Sequence, residues 1–196
     1  MANEITKPSL PKKVYDKIEE NVVDLYIELE LTIPINPIDI AKRLGYELHY
    51  LSEIKNPNEQ KIISDAITHT CEGVSYFDSK HNTYLIWIND INSNYQPRLN
   101  FTIMHEIGHI RLGHKCDSIL AEIEANFFAA YALVPSPLPG LMGCESFIDI
   151  ADTFHVSIEC AYNSSSRIRN WCDYGGPIKQ YEKRLLNYFK NNTEME

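Results

Sequence analysis

Phe101-Thr102-Ile103-Met104-His105-Glu106-Ile107-Gly108-His109-Ile110-Arg111-Leu112-Gly113 is the stretch from which the rest of the chain can be read. Its apolar residues at 101, 103, 104, 107, 110 and 112 suit a largely buried helix. Pro97 stands at the opening of that helix and Gly113 at its end. Within it lies His-Glu-x-x-His. Residues four apart are turned by about 400° and rise by about one turn, so His105 and His109 leave one face together. Two imidazoles so placed can meet one ion at about 2.0–2.1 Å each. Glu106 is rotated by about 100° from His105, which points its carboxylate at an attacking water instead of at the ion. A glutamate between two histidines on an apolar face is costly to bury unless something compensates it, and a divalent metal does so. Gly108 removes side-chain bulk beside this face, at a helix cost of about 1 kcal/mol.

Outward from the motif, the elements follow in order. Val14, Ile18, Val22, Leu25 and Leu29 form a helical stripe within 12–31, and Asn36-Pro37 with Gly45 frames a short helix. Residues 46–51 alternate as a strand. Residues 52–70 are polar and read as an irregular surface excursion. Gly73–Phe77 and Thr83–Ile88 are β-branched and aromatic, joined by the five residues Asp78–Asn82, which gives a hairpin. Because Thr83–Ile88 precedes the motif helix, it is the candidate open edge for an extended substrate. After the motif, a helix is expected from about Ser118 to Leu133, stopped by Pro135 and Pro137. Two or three shorter ones are expected in the C-terminal third, at about 145–154, 157–171 and 177–190. Helices around one small sheet make the chain α+β.

A catalytic metal needs a third protein ligand and an open position. Downstream candidates are His114, Cys116, Asp117, Glu122 and Glu124. His114 lies across the Gly113 break and reads as a helix-end or structural histidine, and nothing evident positions Cys116. Glu122 and Asn126 share one helix face at i, i+4. Glu122 can therefore ligate while Asn126 holds a ligand imidazole from behind. Glu124 is about 200° round from Glu122, so both cannot be ligands. Zinc suits two imidazoles and a carboxylate, although another divalent metal fits the same donors.

Bulk properties narrow the classes. Eighteen Lys+Arg against 27 Asp+Glu give a net charge of −9, which repels nucleic acid and anionic membranes. The longest apolar run, Phe127–Pro135, is too short to span a bilayer. The N-terminus carries no apolar signal segment, so a cytoplasmic location is expected. Five cysteines, widely spaced, read as reduced thiols.

The residues 98–114 around the motif, with Glu122-Ile-Glu-Ala-Asn126-Phe-Phe-Ala-Ala130 and Ala-Leu-Val-Pro135 after it, resemble the ImmA/IrrE family of gluzincin-type metallopeptidases. Asn36–Gly45, Gly73–Phe77 and Ile86–Asn89 resemble it too, and the likeness covers roughly residues 12–170. The resemblance implies a zincin-like domain over 1–140 with a small antiparallel or mixed sheet and an active-site helix. A C-terminal helical extension, 141–196, would pack on it. It implies one Zn2+ held by His105, His109 and Glu122, with Glu106 catalytic. Characterised relatives act on helix-turn-helix repressors of mobile elements or stress-response genes, so the expected partner is a repressor-like protein, with no direct nucleic acid and no membrane. Ile150–Ala161 resembles the family's helix-turn-helix-like tail, but Ser164 stands where a basic residue commonly follows. Three function classes compete: a regulatory zinc endopeptidase, a zinc-binding interaction protein that binds such a partner without cleaving it, and a DNA-binding regulator using 145–171. For the oxyanion donor, Tyr131, Tyr162 and His155 are candidates among which the sequence does not choose.

Overall fold

The computed structural model describes residues 10–67, 72–91, 95–116 and 118–193. The N-terminal lead-in, Cys71 and the candidate ligand Asp117 lie outside the described residues.

Helix α1 (Lys12–Glu28) buries Ile18, Val22, Val23, Leu25 and Tyr26 along the stripe its sequence predicts. Asn36 caps α2 (Pro37–Arg43), its side chain accepting from the amides of Ile38 and Asp39, with Pro37 in the first turn. Three strands follow: β1 (Glu47–Tyr50), β2 (Gly73–Asp78) and β3 (Thr83–Ile88). Between β1 and β2, a helix α3 (Pro57–Ile67) replaces the expected irregular excursion. Its signal is the same Asn-Pro pair used at 36–37, since the Asn56 side chain accepts from the Asn58 amide. Ile67 is buried while Ile62 is exposed, so the helix offers little apolar periodicity to read.

The sheet order is β1-β3-β2, with β1 parallel and β2 antiparallel to β3. This corrects the expectation that Thr83–Ile88 is an open edge. Strand β1 returns beside it and takes up its second row of hydrogen bonds, so β2 is left as an edge. In register, Gly73 pairs with Ile88 and Ser75 with Ile86, so these four residues share the face turned to the helices.

Helix α4 (Gln96–Leu112) lies against that face, and α5 (Ile119–Leu133) packs along α4. Gly108 serves that packing: a Cβ there would stand 3.0 Å from the Phe128 ring of α5, so the missing bulk faces the neighbouring helix and not the two motif histidines. After Pro135, a short α6 (Leu138–Leu141) precedes α7 (Phe147–Phe154), α8 (Ile158–Asp173) and α9 (Gln180–Thr193). Helix α9 closes on α1, where Leu185 and Phe189 join a core that also contains Tyr26, Ile103, Ile107, Phe128 and Phe154. Among the described residues, no helix is long and apolar enough to cross a membrane.

Candidate metal centre

Both histidines of the motif leave the same face of α4, as their spacing requires, and α5 brings Glu122 opposite them. His105 Nε2 and His109 Nε2 are 2.9 Å apart. Glu122 Oε2 lies 3.4 Å from the first, and Oε1 3.3 Å from the second. Donor atoms about 2.0–2.1 Å from a tetrahedral ion stand about 3.3 Å from one another, so the trio already has the spacing of a zinc shell. Its members form a group of possible ligands buried to half-buried at the base of a cleft.

Protonation supports the same reading. His105 Nδ1 is 3.1 Å from Asn126 Oδ1, which can only accept, so Nδ1 carries the hydrogen and Nε2 presents its lone pair to Glu122 and His109. Burial, with the neighbouring His109 next, lowers the His105 pKa to about 4, so its imidazole is neutral at ordinary pH. With His109 Nε2 also free of hydrogen, two imidazole lone pairs and a carboxylate aimed at one point repel each other unless a cation lies between them. A divalent ion with nitrogen and oxygen preference fits this donor set.

Glu106 lies beside the trio, 3% exposed. The Ser75 hydroxyl on β2 donates to its Oε2 at 2.7 Å. Gly73, two residues earlier on the same face, permits this approach, because a Cβ there would stand 2.8 Å from Thr102 Cγ2 and 3.0 Å from Glu106 Oε1. Strand edge and general-base candidate are therefore in direct contact. A cleft of about 460 Å3 opens over them, lined by Gly73 to Phe77, Tyr84, Glu106, His109 and Glu122 among others.

The remaining sequence candidates separate clearly. Asn126 is behind His105, as expected. Glu124 points away from the trio to His114 Nε2 at 3.0 Å, and His114 in turn faces His109. Cys116 is exposed at the cleft wall, outside the ligand group. None of the three oxyanion candidates lines the cleft. Tyr131 is directed by α5 into the core, Tyr162 is exposed on α8 against Phe147, and His155 is the exposed left-handed residue ending α7. Tyr76 and Tyr84 line the cleft instead, placed there by β2 and β3. Ser75 escaped sequence reasoning because a serine in a strand carries no motif; strand alternation with Gly73 was the available signal.

A model of the family described as Peptidase_M78, IrrE N-terminal-like domain, matches residues 65–165, which includes every side chain of this site. Comparison with curated proteins and with solved structures gave no match.

Proposed function

The chain belongs to the Peptidase_M78 family, IrrE N-terminal-like domain, and on that footing we propose that it is a zinc-dependent endopeptidase. In this reading His105, His109 and Glu122 hold one Zn2+, Glu106 is the general base, and the target is a regulatory protein such as a helix-turn-helix repressor. The observation that carries the reading is the convergence of three donor atoms at 2.9–3.4 Å beside a buried glutamate.

When bound, the metal supplies Lewis acidity, polarising the scissile carbonyl and acidifying the attacking water. Glu106, held by Ser75, takes the proton from that water and returns it to the leaving amine. Asn126 keeps His105 in the tautomer that leaves Nε2 for the metal. Strand β2 borders the cleft along its length, so an extended substrate segment can add to its edge through main-chain hydrogen bonds. That mode selects for an extended backbone more than for side chains.

A net charge of −9 suits a basic DNA-binding protein as target. Against a DNA-binding role for 145–171 stands Arg167, which turns inward and donates to Ser136 Oγ and to the carbonyls of Ala130 and Val134. Of the two arginines in that segment, Arg169 alone is then exposed.

Elemental analysis of the purified wild type should find about one equivalent of zinc, lost in His109→Ala. Zinc-loaded protein incubated with a purified helix-turn-helix repressor should yield cleavage products by mass spectrometry. Glu106→Gln should keep the metal and lose the cleavage. A Glu106→Gln protein that still cuts would refute the assignment, and repressor binding without cutting by wild type would favour the interaction-protein reading.

A further inference from the structure

Helix α4 ends in a turn that bends the chain back over its own last ligand. Gly113 takes φ 71°, a left-handed conformation open to glycine. Its amide donates to the Ile110 carbonyl, and the His114 amide donates to the His109 carbonyl at 3.0 Å. This paired closure is the Schellman geometry. It brings residue 114, five positions after the ligand, directly against residue 109. The rings meet edge to face with centroids 4.9 Å apart, and His114 Nδ1 is 3.0 Å from His109 Nδ1. On its other side, His114 Nε2 is 3.0 Å from Glu124 Oε2, two residues along α5 from the proposed ligand Glu122. The pair is largely sheltered, with side chains 12% and 27% exposed.

With Glu124 ionised, His114 neutral and a cation between the His105 and His109 Nε2 atoms, these contacts have one consistent arrangement. An ionised Glu124 can only accept, so His114 Nε2 carries a hydrogen. A neutral His114 then has a bare Nδ1, which can only accept. His109 must supply the hydrogen between the two Nδ1 atoms, and this leaves its Nε2 bare toward His105 and Glu122. Both proposed metal-ligand imidazoles thus have their far nitrogen held by α5: His105 directly through Asn126, and His109 through His114 and Glu124.

We propose that His114 is a positioning residue for His109, accepting its Nδ1–H, and that Glu124 acts through His114 to lock that hydrogen-bond chain in the direction that presents His109 Nε2 to the metal. The inference rests on the zinc reading above and adds to it a three-residue relay, Glu124–His114–His109. A ligand imidazole whose far N–H is held this way is oriented before the metal arrives and is the stronger donor. Helix α5 then supplies a ligand at 122 and outer partners at 124 and 126, so metal affinity is tied to the packing of α5 on α4.

The test is zinc affinity of the full chain, measured by competition with a chromogenic chelator, on wild type and variants whose apo forms melt like wild type. His114→Phe keeps a ring and loses the acceptor, and should weaken zinc binding about tenfold or more. His114→Gln can accept at Oε1 and donate at Nε2, and should recover most of the loss. Glu124→Leu should weaken binding in the same direction, and adding it to His114→Phe should cost little more, because the two act in one chain. A His114→Phe protein that binds zinc as tightly as wild type, or a glutamine variant as weak as phenylalanine, overturns the proposal. Nitrogen-15 NMR of zinc-loaded wild type gives a reading independent of any variant. His114 should carry its hydrogen on Nε2, and a hydrogen on Nδ1 overturns the relay. Wild type that binds no zinc at all would instead remove the parent reading.

Discussion

His105 is the most deeply buried of the proposed ligands, and burial pushes its pKa down from the ordinary histidine value to about 4. In the unfolded chain the same group titrates near 6.5. Between these values the unfolded chain binds a proton that the folded chain does not. Folding stability therefore falls as pH drops from about 6.5 to about 4, by up to about 3 kcal/mol from this group. Urea unfolding of the metal-free protein across that window should show a steeper loss for wild type than for His105→Leu. Equal slopes would mean that the imidazole is not held neutral by its surroundings. The same physics favours metal capture, because a neutral buried imidazole need not lose a proton to become a ligand.

At the scale of elements, the site is a meeting of one strand and two helices. Strand β2 reaches α4 at Gly73 and Ser75, where the Glu106 carboxylate is gripped. Arg98 at the start of α4 also pairs with Glu72 just ahead of β2. Gly73→Ala would place a methyl 2.8 Å from Thr102 Cγ2, so the strand or the glutamate must shift. Because a misplacement near 1 Å can cost about a hundredfold in rate, the variant should lose about tenfold or more in kcat/KM on a peptide substrate while still binding zinc. Undiminished peptidase activity in Gly73→Ala would show that β2 and Glu106 are not coupled. Elements such as α4 and α5 were legible in sequence because stripe, N-cap and terminal glycine are local signals. Helix α3 was not, since Ile67 is the one fully buried apolar side chain among its described residues and an isolated anchor leaves no period.

At the scale of the molecule, the C-terminal helix is tied to the first one through a charged cluster. Glu19 of α1 accepts from Lys179 Nζ at 2.8 Å and from the Tyr181 hydroxyl at 2.6 Å, and Lys179 also pairs with Asp16. Burial, together with the neighbouring Glu19, raises the Tyr181 pKa, so its hydroxyl stays a donor. Glu19→Ala strands a tyrosine hydroxyl and half of a lysine's partners, and should cost about 1–3 kcal/mol in chemical unfolding. Zinc affinity should stay as in wild type, because Glu19 lies beside Tyr131, about 180° round α5 from the proposed ligand Glu122. A loss of metal binding in that variant would join the two ends of the molecule more tightly than their contacts suggest.

The division between sequence and fold follows from the range of the forces involved. Helix periodicity alone set His105 and His109 on one face and Glu106 off it, and the order of Asn36-Pro37, Gly113 and Ser118 marked helix ends, because these depend on neighbours within a turn or two. Periodicity also excluded Glu124 as a ligand beside Glu122. Which strand became the exposed edge, which serine met Glu106 and where Glu124 and His114 turned depended on pairing and packing between residues up to 38 positions apart, as Glu47 and Leu85 are. Such contacts are chosen by what the whole core buries best, and no local pattern encodes that choice.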